Sequence, residues 1–177
     1  AMLELALMAD GVPRDKLYPL DLERAFDKVA SIKKDLLFWA SGTESQSLLR
    51  DGECVMGLLW HTRANVLQQE TKNRIRYTFR DGLLQPGLWV VPKGHPSGAE
   101  AFKAIASMQK PEGQIKLLAA MGNGPANPAA LAMVPADLKA SNPADPANVA
   151  IQARINADWY IANHSKTFRA FIDLISS

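Results

Sequence analysis

The sequence predicts an α/β layered fold, and three observations carry that prediction. Residues 36–40, 54–60 and 88–91 are short apolar runs of strand length, bounded by Gly, Pro and small polar residues. Residues 73–80 alternate, with Ile75, Tyr77 and Phe79 on one face and Arg74, Arg76, Thr78 and Arg80 on the other, the period of a half-exposed strand. Between and beyond these runs, apolar residues recur every three to four positions, which is helical spacing. Strands interleaved with helices fit a short sheet flanked by helices.

The elements follow in order. Leu3, Leu5, Ala6 and Met8 mark an opening helix that stops at Gly11 and Pro13, with no N-cap before it, so the chain reads as starting within an element. Asp21 caps a second helix whose stripe is Leu22, Phe26, Val29 and Ile32. The strand at 36–40 gives way to a helix through Leu49, capped by Thr43 or Ser45; Asp51-Gly52 turns the chain into the strand at 54–60. A helix spans 63–70. After the strand at 88–91, Pro92-Lys93-Gly94 leads to a helix striped by Ala101, Phe102, Ile105 and Met108. Pro111 starts the next, which buries Ile115, Leu118 and Met121. Residues 122–146, rich in Pro and Ala, read as a wrapping connection with short helical turns. Ile151, Ile155 and Trp159 mark one helix at four-residue spacing; Phe168, Phe171, Ile172 and Ile175 mark the last.

Composition removes several classes of function. With 20 Lys+Arg against 18 Asp+Glu, a net charge of +2 gives no general attraction to nucleic acid or anionic membrane. The arginines at 74, 76 and 80 read as a charged sheet edge that discourages pairing with other chains. No apolar run reaches the roughly 18 residues of a membrane span, and the opening segment lacks the basic start and cleavage site of a signal peptide. One Cys (Cys54, read as a buried thiol) and three His, His61, His95 and His164, build neither a disulfide framework nor a metal cluster. No phosphate-loop or dinucleotide glycine pattern occurs, so no cofactor is expected. Ser41-Gly42 lacks a nucleophile elbow, and His61 has no orienting carboxylate nearby in sequence, so an enzyme ranks last.

What remains is binding. In α/β sheets ligands sit beyond the carboxyl ends of strands, where the amides of the next helix face outward. Ser41-Gly42-Thr43 and His61-Thr62-Arg63 occupy such places. Ser41 and Thr43 would offer hydroxyls and amides to an acceptor group. Trp60 would lay an aromatic face along an aliphatic chain or a cation, whereas Trp89 reads as core and Trp39 is balanced between core and site. Arg63 either pairs with an anion or simply begins its helix at the surface.

The ordered set ALMADGVPRDKLYPLDLERAF, FWASGTESQSLLRDGECVMGLLWHTRANV, GLWVVPKGHP and NADWY resembles the periplasmic substrate-binding proteins of bacterial ABC transporters, nearest to their spermidine/putrescine-binding group. The resemblance runs from about residue 3 to the end of the chain and covers only the carboxyl-terminal half of those longer proteins. It implies a periplasmic-binding-protein-like lobe: 1–85 as second-lobe core, 86–136 as part of the first lobe, and 137–177 as helices returning to the second. It also implies a small-molecule solute, a partner permease, a periplasmic location and no covalent chemistry. Ser41 matches a serine lining the family's cleft, Trp60 an aromatic packing along the polyamine, and Tyr160 lies in a region near the cleft. Gly87 stands where polyamine binders place an aspartate, Gln85 where they place an aromatic, and Asn123 where a tyrosine follows Gly122. With Arg63 and His61 beside Trp60, those departures favour an anionic or zwitterionic solute over a polyamine. Half a two-lobed protein leaves an apolar face around 88–91, so a homodimer covering it is expected. The alternatives are a stand-alone self-associating binding module and the effector-sensing domain of a regulator, although no DNA-binding segment is visible.

Overall fold

The structure is a computed structural model that describes residues 1–176. In chain order the elements are α1 (Met2–Ala9), α2 (Leu22–Ile32), α3 (Gly42–Arg50), α4 (His61–Glu70), β1 (Leu83–Leu84), α5 (Gly98–Met108), α6 (Pro111–Met121), α7 (Pro128–Leu131), α8 (Pro146–Val149), β2 (Ala153–Arg154) and α9 (Ala157–Ser176). Two compact units emerge. One comprises Ala1–Phe38, Phe79–Gln85 and the chain from Ile151 onward; the other comprises Trp39–Thr78 and Pro86–Ala150.

In the first unit the apolar face of α1 (Leu3, Ala6, Leu7) meets Ala25 and Val29 of α2, and Leu17, Leu20 and Ala153 close the cluster. Asp21 caps α2 as its sequence position predicts, accepting from the Arg24 amide. From α9, Trp159, Tyr160, Phe171 and Leu174 pack onto this core. Its centre holds one buried charge. Glu4, with none of its surface exposed, accepts hydrogen bonds at Oε1 from the Tyr18 and Tyr160 hydroxyls, each at 2.6 Å. A carboxylate tolerates burial only when so satisfied.

β1 and β2 pair in parallel, Leu83 against Ala153 and Leu84 against Arg154. The Ala153 amide donates to Gly82 and the Ile155 amide to Leu84. That pairing overrides the four-residue spacing of Ile151, Ile155 and Trp159. Ile151 and Ile155 flank β2, and a single helix, α9, starts only at Ala157. Long-range backbone partners outcompete a local period once they are available.

The expected sheet of four or more strands is corrected to this two-stranded parallel one. Among the described residues, 36–40, 54–60, 73–80 and 88–91 join no ladder. A strand is completed by a ladder with a neighbour's N–H and C=O groups, and among the described residues these runs form no such ladder. The consequence is visible at the surface: Val55 is 101% exposed, Leu88 83% and Val90 78%. Trp89, read as core, is exposed, and Cys54 is half-buried rather than enclosed. The facial division of 73–80 survives without the ladder, since Phe79 is buried and the arginines point outward.

In the second unit Leu67 of α4 and Leu118 of α6 are the deeply buried apolar anchors. Gln114 of α6 accepts from the Asn127 amide at 2.9 Å, and the Asn127 side chain donates to the Gln109 carbonyl at the end of α5 at 2.9 Å, tying the start of α7 to both helices. Pro111 begins α6 as predicted, but Met121 is exposed, and the α5 stripe buries no residue. Phe102 and Met108 lie open, as do Leu131 and Met133 of the wrapping connection.

Candidate functional site

Three helix ends of the second unit converge. The first is the start of α3, where Ser41, not Thr43 or Ser45, is the N-cap: its Oγ accepts from the Glu44 amide at 3.2 Å. Glu44 reaches back to the Ala40 amide at 2.7 Å, a variant of the capping box. Ser45 turns inward and donates to the Gly42 carbonyl. The Gly42 and Thr43 amides belong to the helix's first turn, which has no acceptors of its own.

The second end is the start of α4, which begins at His61 with Trp60 as its N-cap residue. The Arg63 side chain crosses directly over Gly42: a Cβ built there would stand 2.6 Å from Arg63 Nε and 3.1 Å from its Cγ. Gly42 is therefore required by proximity, not by backbone conformation. Arg63 is exposed and has no carboxylate partner among the described residues. Trp60 is 58% exposed and meets Trp39 edge-to-face, with centroids 5.2 Å apart. Trp39 is itself pinned by its indole N–H donating to the Leu58 carbonyl at 3.0 Å. The pair presents one fixed aromatic wall.

The third end is the carboxyl terminus of α6, where Gly122 takes the left-handed conformation at φ 85°. His61 closes on it: a Cβ at Gly122 would lie 2.8 Å from His61 Cε1 and 3.2 Å from Asn65 Cγ. Asn123, the next residue, is exposed. His61 Nε2 lies 3.1 Å from the Tyr77 hydroxyl, which donates to Asn65 Oδ1 at 3.2 Å. Burial pushes the imidazole down to about 4, against the Gly122 carbonyl, which favours the protonated ring. His61 is therefore neutral at physiological pH.

The structure thus brings together Ser41, Gly42, Thr43, Trp60, His61, Arg63 and the Gly122–Asn123 corner. Gly87 is in the same unit but exposed, with open space where a Cβ would be. Gln85 and Tyr160 belong to the other unit. Gln85 is exposed, and the Tyr160 hydroxyl is committed to Glu4. Sequence reading missed Tyr77, Asn65 and Glu44. Tyr77 was the findable one, as the single polar-tipped residue on the inward face of the 73–80 alternation.

Among the described residues no group of His, Cys, Asp and Glu is placed to hold a metal, and no helix is long and apolar enough to cross a membrane. The arrangement offers an aromatic wall, an unpaired guanidinium, hydroxyls and first-turn amides: the means to hold a small polar molecule.

Comparison with known proteins gives the same class. Residues 1–148 match the family model described as bacterial extracellular solute-binding protein. The γ-aminobutyric acid-binding protein of Pseudomonas aeruginosa is 30% identical over 164 residues, covering 90% of this chain and 46% of that protein. An ABC transporter substrate-binding protein from Bradyrhizobium japonicum superposes with a TM-score of 0.91 at 34% identity, over 98% of this chain and 55% of the other. The PBP AgtB from A. tumefaciens R10, solved in complex with agropinic acid, gives 0.87 at 30% identity, over 99% and 55%. The chain therefore spans about half the length of the relatives it matches, and its fold neighbours are periplasmic binding proteins. It belongs to the bacterial extracellular solute-binding protein family.

Proposed function

We propose that this chain forms part of the solute-capturing component of an ABC importer, and that the solute is amino-acid-like, carrying a carboxylate and an ammonium on a short aliphatic chain. The observation that carries the proposal is Arg63, laid over Gly42 at the start of α3 without a carboxylate of its own. A solute carboxylate would take the guanidinium together with the α3 amides, and the methylenes and ammonium would lie along Trp60. None of the ten candidate residues is acidic, and Glu44 beside them is bonded to the Ala40 amide, which disfavours a polyamine with its several ammonium groups. Relatives named for γ-aminobutyric acid and agropinic acid support the same choice. The role is capture and hand-over to a permease in the periplasm, without covalent chemistry. The lobe assignment (1–85 and 137–177 to one lobe, 86–136 to the other) belongs to this proposal.

Thermal shift and calorimetry with γ-aminobutyric acid, glutamate and spermidine test it. Binding of an amino acid at 100 times its Kd would stabilise the protein by about 2.7 kcal/mol, and Arg63→Ala should remove the effect. A shift with spermidine alone would overturn the choice of solute.

A second reading rests on Val55, Met56, Leu88, Trp89 and Val90, apolar side chains exposed on segments that join no strand ladder. A second copy covering that face would make the chain a dimer. Light scattering at micromolar concentration should then give twice the chain mass, and a compact monomer would sink this reading.

A further inference from the structure

We infer that Tyr77 is the positioning residue of the site, fixing through His61 where α4 presents Trp60 and Arg63; the inference rests on the binding role proposed above. The geometry is a strut with three anchors. His61 is the first residue of α4, flanked by Trp60 before it and Arg63 two positions after. Its ring lies against the Tyr77 hydroxyl, 3.1 Å from Nε2, on one side and the Gly122 carbonyl on another. Tyr77 is bonded in turn to Asn65, one helical turn further along α4. Its ring also packs on His61 at 5.1 Å between centroids, inclined by 66°, and its amide donates to Gln68 Oε1 at 3.4 Å. One residue from outside the helix therefore meets α4 at residues 61, 65 and 68, its ring and hydroxyl at the first two and its amide at the third.

The start of a helix frays unless side chains hold it. α3 is held by its own Ser41 and Glu44, whereas α4 has no side-chain cap. The strut takes the place of the missing cap. Without it, Trp60 and Arg63 would sample several orientations, and a solute would have to order them on binding. The groups facing His61 are Tyr77 on the 71–80 segment, Asn65 on α4 and the Gly122 carbonyl at the end of α6; Arg63 is the charged residue on the first turn of its own helix.

Tyr77→Phe keeps the ring and removes the hydroxyl. Two readouts separate positioning from bulk stability. In ligand-free protein, the Trp60 indole N–H resonance should move and broaden. In calorimetry with γ-aminobutyric acid, affinity should fall about threefold to tenfold, the worth of one hydrogen bond. Gly122→Ala, which pushes the ring from the opposite side, should give the same Trp60 displacement. A purely structural tyrosine would lower the unfolding temperature while leaving the Trp60 resonance unmoved, and that result overturns the inference. Failure of γ-aminobutyric acid to bind the parent protein would count against the proposed solute, whereas the ligand-free resonances still decide on the strut.

Discussion

Removing the Tyr160 hydroxyl tests whether that residue supports the fold or receives a ligand. Tyr160 lies on α9, and its oxygen is 2.6 Å from Glu4 Oε1, the same atom that accepts from Tyr18 at 2.6 Å. Glu4 is wholly enclosed on α1, so water cannot replace a lost donor. Tyr160→Phe leaves the ring packed against Trp159, where the centroids are 5.0 Å apart and nearly perpendicular. The change is therefore confined to one bond between a hydroxyl and a carboxylate. Bonds of that kind contribute about 1.5–3 kcal/mol, and nothing is gained in return. Urea unfolding followed by circular dichroism should show the midpoint falling with an unchanged slope, as expected for lost stability in an otherwise intact native state. A cycle combining Tyr160→Phe with Glu4→Gln should show strong coupling, because the two substitutions remove the same interaction. The pH dependence has a defined sign. Burial raises Glu4 while the hydrogen bonds from the Tyr160 and Tyr18 hydroxyls lower it, and its carboxyl is held below the ordinary value. That contribution is present above about 4.5 and is lost as pH falls. Burial and the bond to Glu4 raise both tyrosines, so theirs is present below about pH 10 and lost above it. A loss below 0.5 kcal/mol for Tyr160→Phe, with weakened solute binding, would refute the structural role and return Tyr160 to the ligand site.

Gly42→Ala should leave stability within about 1 kcal/mol of the parent, since alanine suits a helix, yet displace Arg63 from its 2.6 Å approach. Calorimetry should then show amino-acid binding weakened by tenfold or more, and unchanged affinity would refute the placement of the carboxylate. His61 is held down near 4 by burial, so its contribution is full above about 6.5 and declines as pH drops toward 4. One unit is worth 1.36 kcal/mol; discounted for partial exposure, about 1–2 kcal/mol should disappear between pH 7 and pH 4.5 in urea titrations, and His61→Gln should flatten that difference. Finally, Val90→Lys with Trp89→Ser should abolish any dimer seen by light scattering while leaving the far-ultraviolet circular dichroism intact; a dimer that survives both would place its interface elsewhere.

What was legible in the sequence was whatever a residue's neighbours along the chain decide. Asp21 caps α2, Pro111 opens α6, and Val29 lies on the buried stripe, because capping, φ restriction and amphipathic spacing act within a few positions. The convergence of Ser41, Trp60 and Arg63 was legible for the same reason, each standing at the end of an apolar run and the start of a helix. The strands were not, because an apolar run of five residues states a preference for burial and leaves its partner unnamed. Residues 83–84, unremarkable as a pattern, became a strand by pairing with Ala153, whereas 88–91, an ideal pattern, did not.

Tyr77 and Tyr160 make the same distinction. Each was visible as an aromatic with a polar tip, yet what its hydroxyl does was fixed by a residue remote along the chain or by a turn of another helix. Tyr160 spends its proton on Glu4, 156 positions away. Tyr77 spends its proton on Asn65, and through His61 it reaches Gly122. A hydroxyl already engaged in a buried bond offers a solute little, because rearranging it would leave the first partner unsatisfied. Trp60 and Arg63, exposed and without such commitments, are the residues of this set with binding capacity to give. On that ground the proposed binding surface is the start of α4, with Tyr77 supporting it and Tyr160 supporting the core of its own unit.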